Sequence, residues 1–289
     1  MAQLPFAGLH TQEKLQVLQS YLSAYQRVLR NTKLETAFFD AFAGTGDIPI
    51  EEIGGLFQDV EEAEPFMEGS ARRALSVNPP FTKYFFVEKS RRKAALLETL
   101  KTEFPHLASR IQVEHEDANL AVERFCAETD WKRTRAVLFL DPFGNQVGWN
   151  TIEIIARTRA IDLWYLFPAH LGVNRQISAS GQFDPGKAAS LDRLLGTSDW
   201  RDAFIATVTQ PDLWGEAHEL SFKQATVDSI TRYMIRRMKQ IFKGVVLDEW
   251  LPLGRGGSHW YSLLFACANP SSAATEIAER IARAVMKRK

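Results

Sequence analysis

The sequence predicts an α/β fold built on a doubly wound parallel sheet, and three observations predict it. Apolar runs rich in β-branched and aromatic residues recur at 36–42, 84–87, 111–115, 136–140 and 161–167. Helical patterns with three- and four-residue apolar spacing alternate with them. Near the end of the chain, the glycine-rich link 253–258 joins two apolar runs so tightly that only an antiparallel hairpin fits. Alternation of this kind lays strands side by side with helices over both faces.

The elements follow in order. Residues 11–29 carry Leu15, Leu18, Leu22, Tyr25, Val28 and Leu29 on one face, with Thr11 as N-cap and Lys14 as a first-turn charge, which predicts an amphipathic helix. The strand 36–42 ends in Ala43-Gly44-Thr45-Gly46, a turn that glycine makes easily. Residues 47–71 hold Asp47, Glu51, Glu52, Asp59, Glu61, Glu62, Glu64 and Glu68 without a single Lys or Arg, and read as an acidic insertion. Ser70 opens a helical stretch, 71–77, that stops at Pro79-Pro80. Helices at 91–103, 119–128 and 150–158 separate the next strands. The segment 172–226, with scattered Gly, Ser and Pro and two short helical patterns, reads as a lid or helical insertion into a single domain. A helix at 227–242, strands at 245–252 and 259–268, and a last helix at 273–286 complete the chain.

Composition narrows the function classes. In 289 residues, 35 Lys+Arg balance 35 Asp+Glu, so no global basic field holds a nucleic-acid backbone or an anionic membrane. Two distant cysteines, Cys126 and Cys267, exclude a disulfide framework and a CxxC zinc module, and fit a reducing cytoplasm. There is neither a secretory leader pattern nor an apolar run long enough to span a bilayer, so the expectation is a cytoplasmic protein without membrane contact. The six histidines are scattered without i, i+4 spacing, so no metal site is expected.

Chemistry collects at strand ends. Asp40 precedes the glycine turn, where a ligand can approach the backbone closely. Glu88 stands at the tip of the next strand, placed to accept both hydroxyls of a ribose, and Asp117 follows the third, placed for an adenine amino group. Singly, each carboxylate is what solvent at a strand end would select; three in succession point to a nucleoside-type cofactor. After the fourth strand, Leu140-Asp141-Pro142-Phe143-Gly144 offers a carboxylate, a rigidly held carbonyl and an aromatic ring. Such a trio can hold a planar amino group and aim its lone pair, a task of positioning. An Asp-Pro turn that simply ends a strand is the competing reading.

The pattern of Asp40 to Gly46, Val87-Glu88-Lys89, Asp117 and Asp141 to Gly144, closed by the terminal hairpin, resembles class I S-adenosylmethionine methyltransferases. Over most of the chain, including 158–168, Gly172-Val173-Asn174-Arg175 and 259–265, it resembles more closely the bacterial and phage three-Cys-motif partner proteins. The resemblance implies a Rossmann-like, seven-stranded methyltransferase sheet with an antiparallel hairpin. It implies S-adenosylmethionine as cofactor, held by Asp40, Phe42, Ala43, Gly44, Thr45, Gly46, Glu88, Lys89, Asp117 and Ala118, with Asp141, Pro142 and Phe143 facing the acceptor. It also implies a partner protein carrying the cysteine motif, and admits a non-catalytic binding subunit as the alternative. The chain departs from the amino-methyltransferase signature in having one proline, Pro142, before its aromatic, and in the insertion between Asp40 and Glu88. The insertion implies that the helix after the glycine turn begins at Ser70, with Gly69 and Ser70 lending its amide end to the site. A local basic patch through Arg232, Arg236, Lys239 and Lys243, with Arg237, Arg255 and the terminal Lys287-Arg288-Lys289, would track phosphates, but the neutral charge and the acidic insertion favour a protein partner.

Overall fold

A computed structural model describes residues 7–45, 47–48, 67–211, 217–254 and 258–287. Most of the acidic insertion, together with Gly46, Arg255, Arg288 and Lys289, therefore lies outside the described residues.

Helix α1 (Ala7–Leu29) leads into β1 (Glu35–Asp40). A two-residue ladder, β2 (Asp47–Ile48) with β3 (Met67–Glu68), brackets the insertion. Then come α2 (Ser70–Leu75), β4 (Lys83–Val87), α3 (Arg91–Glu98), α4 (Leu100–Glu103) and β5 (Ile111–Glu114). They are followed by α5 (Ala118–Glu128), β6 (Thr134–Leu140), α6 (Trp149–Arg157) and β7 (Ile161–Phe167). The segment beyond β7 holds α7 (Pro185–Leu195), α8 (Trp200–Phe204), β8 (Ile205–Pro211) and β9 (Ala217–Lys223). Helix α9 (Val227–Ile241), β10 (Val245–Val246), β11 (Leu251–Leu253), β12 (Tyr261–Cys267) and α10 (Ser272–Met286) close the chain.

The main sheet runs β10-β12-β7-β6-β1-β4-β5, with β11 also on β12. Strands β5, β4, β1, β6 and β7 are parallel, and β12 is antiparallel to β7, β10 and β11. The predicted mainly parallel α/β sheet and its terminal antiparallel pairing are present. Because both faces are covered, the central strands carry continuous apolar runs, and all seven residues of β7 are buried. One face packs Leu18, Tyr21 and Leu22 of α1 with Phe38, Trp164 and Phe265, and the other packs Val122, Ile155 and Met234 with Phe39, Leu138 and Tyr165.

Several boundaries differ from the sequence reading. Helix α1 begins at Ala7, so Thr11 is inside it rather than at its cap, and Lys14 sits two turns in on the buried face. Strand β1 stops at Asp40, because Phe42 N–H turns back onto the Asp40 carboxylate. The expected helix 91–103 breaks at Thr99 into α3 and α4. The 172–226 segment is not only helical: β8 and β9 form a projecting antiparallel hairpin, an alternation hidden because the hairpin is exposed on both sides and gains nothing from an apolar face.

Candidate functional site

The carboxyl-terminal edge of the sheet carries a cleft of about 480 Å³ over β1, β4 and β5. Phe42 and Gly44 line it from the turn after β1, Glu88 and Lys89 from the end of β4, and Asp117 and Ala118 from the start of α5. Asp141 and Phe143 line it from the end of β6. The geometry thus brings together residues drawn from all four strand ends that the sequence singled out. Gly44 has φ +66°, so the turn needs glycine, and no atom of the described residues lies within 4 Å of where a Cβ would stand.

Glu88 is half-buried, and one of its carboxylate oxygens accepts from Ser90 N–H at 2.7 Å. Asp117 caps α5 through Asn119 N–H at 3.0 Å and meets Lys89 Nζ at 3.3 Å. Burial pushes its pKa up, but hydrogen bonds from Asn119 and Lys89 outweigh this and hold the carboxyl below the ordinary range. Asp117 is therefore ionised and anchored, and its role in the cleft is tied to holding the helix start.

Asp40 and Ser70 sit beneath the cleft rather than on it. Asp40 is fully buried, accepting from Ser70 Oγ at 2.5 Å and Phe42 N–H at 3.1 Å, so it staples the glycine turn to α2. Burial pushes its carboxyl up to about 7 against those two hydrogen bonds. The expectations that Asp40 touches the ligand, and that Gly69 and Ser70 open a helix end toward it, are corrected on this point: none of the three lines the cleft, because Ser70 turns inward to Asp40. Ala43 and Pro142 are likewise buried and off the cleft wall, and Thr45 is not among its lining residues. Gly46 lies outside the described residues.

At the end of β6, Asp141 is in direct contact with Lys14 Nζ, whose side chain is 12% exposed. The carboxylate is charge-compensated, so it accepts hydrogen bonds from neutral donors better than it attracts a cation. Phe143 is 86% exposed at the rim, its ring without an aromatic partner among the described residues, and is held by its N–H on Gln146 Oε1 at 2.9 Å. Arg193 of α7 lines the cleft and donates to the carbonyls of Asn145 and, at 3.2 Å, Gln146. Asn119 donates to the same Gln146 carbonyl at 3.0 Å and accepts from Gly148 N–H and Thr151 Oγ1. Four of these contacts fall on the 141–148 loop and fix it from two sides.

Sequence reasoning missed Lys14, Asn119 and Arg193. A lysine on the apolar face of α1, four residues before Leu18, was a legible signal for the first. Nothing local marks the other two.

A second recess of about 450 Å³ at the amino-terminal edge is lined by Glu35, Lys83, Glu114 and Arg124, whose charges pair within it, Arg124 with Glu114 at 2.7 Å. Ligands of open α/β sheets bind at the carboxyl ends, which favours the first cleft. The basic patch is partly spent inside the fold: Arg232 lies over the Trp250 ring at 5.1 Å and Lys239 meets Asp248 at 2.5 Å. Among the described residues no His/Cys/Asp/Glu cluster could hold a metal, and no helix is long and apolar enough to cross a membrane.

No protein-family model matches the chain, and no curated protein matches it in sequence. Among solved structures it is similar to protein LPL1258 from Legionella pneumophila, of family model DUF519, at 12% identity and TM-score 0.40, covering 83% of this chain and 94% of that one. It is also similar to an uncharacterized COG1565 superfamily protein from Burkholderia thailandensis, at 11% identity and TM-score 0.31, covering 84% of this chain and 66% of that one. No functional residue is transferred from either.

Proposed function

We propose that this chain is an S-adenosylmethionine-dependent methyltransferase that acts with a cysteine-motif protein partner. One observation carries the reading: the cleft over β1, β4 and β5 is walled by the open glycine turn at Gly44 and by Glu88 at the tip of β4. A carboxylate there, with one oxygen still available, suits the paired hydroxyls of a ribose. The reversed β12, set between β7 and β10, also supports it, because a sheet closed in this way is what the family resemblance implies.

The residues present fit such a cofactor. The cleft volume of about 480 Å³ lies in the range of small-molecule sites, and Phe42 and Ala118 supply apolar wall. Glu88 would hold the ribose and the backbone at Gly44 would face the methionine end; the cofactor when bound supplies an electrophilic methyl group on a sulfonium. Asp141 and Phe143 would orient the acceptor, the first by accepting a hydrogen bond and the second by covering a planar face. Asp40 acts from below as a positioning residue for the turn.

The test is calorimetric titration of the chain with S-adenosylmethionine and S-adenosylhomocysteine beside Glu88→Ala. Binding in the micromolar range, about 8 kcal/mol, that falls at least tenfold in the variant is the expected result. Equal binding by both proteins overturns the ribose assignment.

The Lys14–Asp141 contact favours a second reading, a non-catalytic binding subunit, because the carboxylate that would meet an acceptor is already engaged. Turnover with partner present that survives in Lys14→Met but is lost in Asp141→Ala, with cofactor binding intact in both, excludes that reading.

A further inference from the structure

On the same carboxyl-terminal edge, two strands from the 141–148 loop, the ends of β7, β9 and β12 and the start of α9 enclose an open recess of about 520 Å³. Lys223 reaches into it half-buried. Its Nζ donates to the carbonyls of Asn174 at 2.5 Å and Ile177 at 3.3 Å, which leaves one of three donors over. Burial lowers its pKa, and no carboxylate among the described residues offsets this. His170 Nδ1 lies 3.0 Å from the Asn174 amide nitrogen, a contact that suits the neutral imidazole with its proton on Nε2. Burial, then Arg175, Lys223 and His259, hold the His170 pKa below its ordinary value, and every charge acting on it is of one sign. The fifteen-residue helix α9 points its amino end into the same space through Thr226 and Val227. Asp228, in the first turn of α9, is engaged by His259 Nδ1 at 3.2 Å.

Lys223 as a simple pin for loop carbonyls would account for its two hydrogen bonds. It would not account for His170 lining the same recess under the added charge of Arg175, for neither Arg175 nor Lys223 enters an ion pair among the described residues. A partly buried ammonium without an anion is costly, and a multivalent oxyanion at a helix amino end offsets that cost.

We propose that this recess is a phosphate-binding site and, resting on the methyl-transfer reading, that the phosphate is part of the methyl acceptor. Adjacent strands lie about 4.8 Å apart, so β12 is about 10 Å from β6 across the sheet, a span that one phosphorylated small molecule bridges. Phe143 and Asp141 would then meet its planar part while Lys223 and His170 hold its phosphate and the nearby charge of Arg175 adds to the field.

Calorimetry with S-adenosylhomocysteine at saturation, which keeps adenosine probes out of the cofactor cleft, tests the site directly, using inorganic phosphate, adenosine 5′-monophosphate, adenosine and acetate as probes. Saturable binding of the two phosphate-bearing probes, and not of adenosine or acetate, is expected, weakened about tenfold in Lys223→Met and in Arg175→Ser. The exposed Arg175 guards against a variant that fails to fold. Tighter binding of adenosine 5′-monophosphate than of inorganic phosphate supports the acceptor role, whereas equal binding of the two leaves a free-phosphate site and overturns that role. Unchanged binding in both variants, or acetate binding as tightly as phosphate, overturns the site itself. Titration with S-adenosylhomocysteine in parallel separates the two proposals: its failure with phosphate binding intact removes the methyl-transfer reading alone.

Discussion

Asp40 and Asp162 are carboxyls placed where water cannot reach them, and that placement sets how stability responds to pH. Asp40 is raised to about 7 and Asp162 to about 6 from an ordinary 3.8, in both cases by burial first. A raised folded-state pKa means the folded chain holds the proton longer than the unfolded one. Stability from these groups is thus complete below about pH 4 and lost as pH rises through 6 to 7. For Asp40 the gap corresponds to about 4 kcal/mol as an upper bound. Urea unfolding between pH 5 and pH 8 should show a falling midpoint in the native chain and a flatter profile in Asp40→Asn, whose amide can still face Ser70 and Phe42. An unchanged slope in the variant would mean that Asp40 is ionised at low pH after all. Glu88 and Asp141 differ in kind, since both keep solvent access and line the cleft.

At the scale of elements, polar contacts embedded in an apolar face fasten α1 to the sheet. Lys14 meets Asp141 at the cleft, and Tyr21 Oη donates to Asp162 at 2.6 Å in the core, with the Tyr21 ring edge-on to Trp164 at 5.2 Å. Replacing Tyr21 by Phe keeps the ring and removes the donor, which should cost about 1–3 kcal/mol. Because Asp162 ionises near pH 6, the loss should be larger at pH 8 than at pH 5, measured by denaturant unfolding at both. The β8–β9 hairpin is the opposite case. Val208, Leu220 and Phe222 are exposed on it, Val208 directly opposite Leu220, and a lone hairpin is marginal in water. Its amides should exchange with deuterium faster than those of β1, and Val208→Thr should change stability by less than about 0.5 kcal/mol.

At the scale of the whole molecule, one sheet divides two apolar cores, and its strands contribute to both. Phe39 faces one core beside Phe125 at 4.7 Å and Phe38 faces the other beside Phe81 at 6.0 Å. Phe38→Ala and Phe39→Ala should each cost about 3–5 kcal/mol. Since β1 is shared, far-UV circular dichroism and tryptophan fluorescence should report a single coincident transition in each variant; separated transitions would show that the cores unfold independently.

The sequence by itself determined the alternation of strands and helices, the buried parallel sheet, the terminal antiparallel pairing and the strand ends where Glu88, Asp117 and Asp141 stand. These are legible because hydrophobic period and glycine turns are local properties of the chain. Element ends were less legible. The start of α1 and the stop of β1 depend on which polar group reaches back to the backbone, as Asp40 does to Phe42. Only the tertiary structure decided that Asp40 lies under the cleft, that Lys14 occupies Asp141 and that Arg193 and Asn119 fix the 141–148 loop. Lys14 is 127 residues from its partner and Arg193 is 47 from Gln146. A charge's partner is set by which distant elements pack together, and no periodicity along the chain encodes that distance.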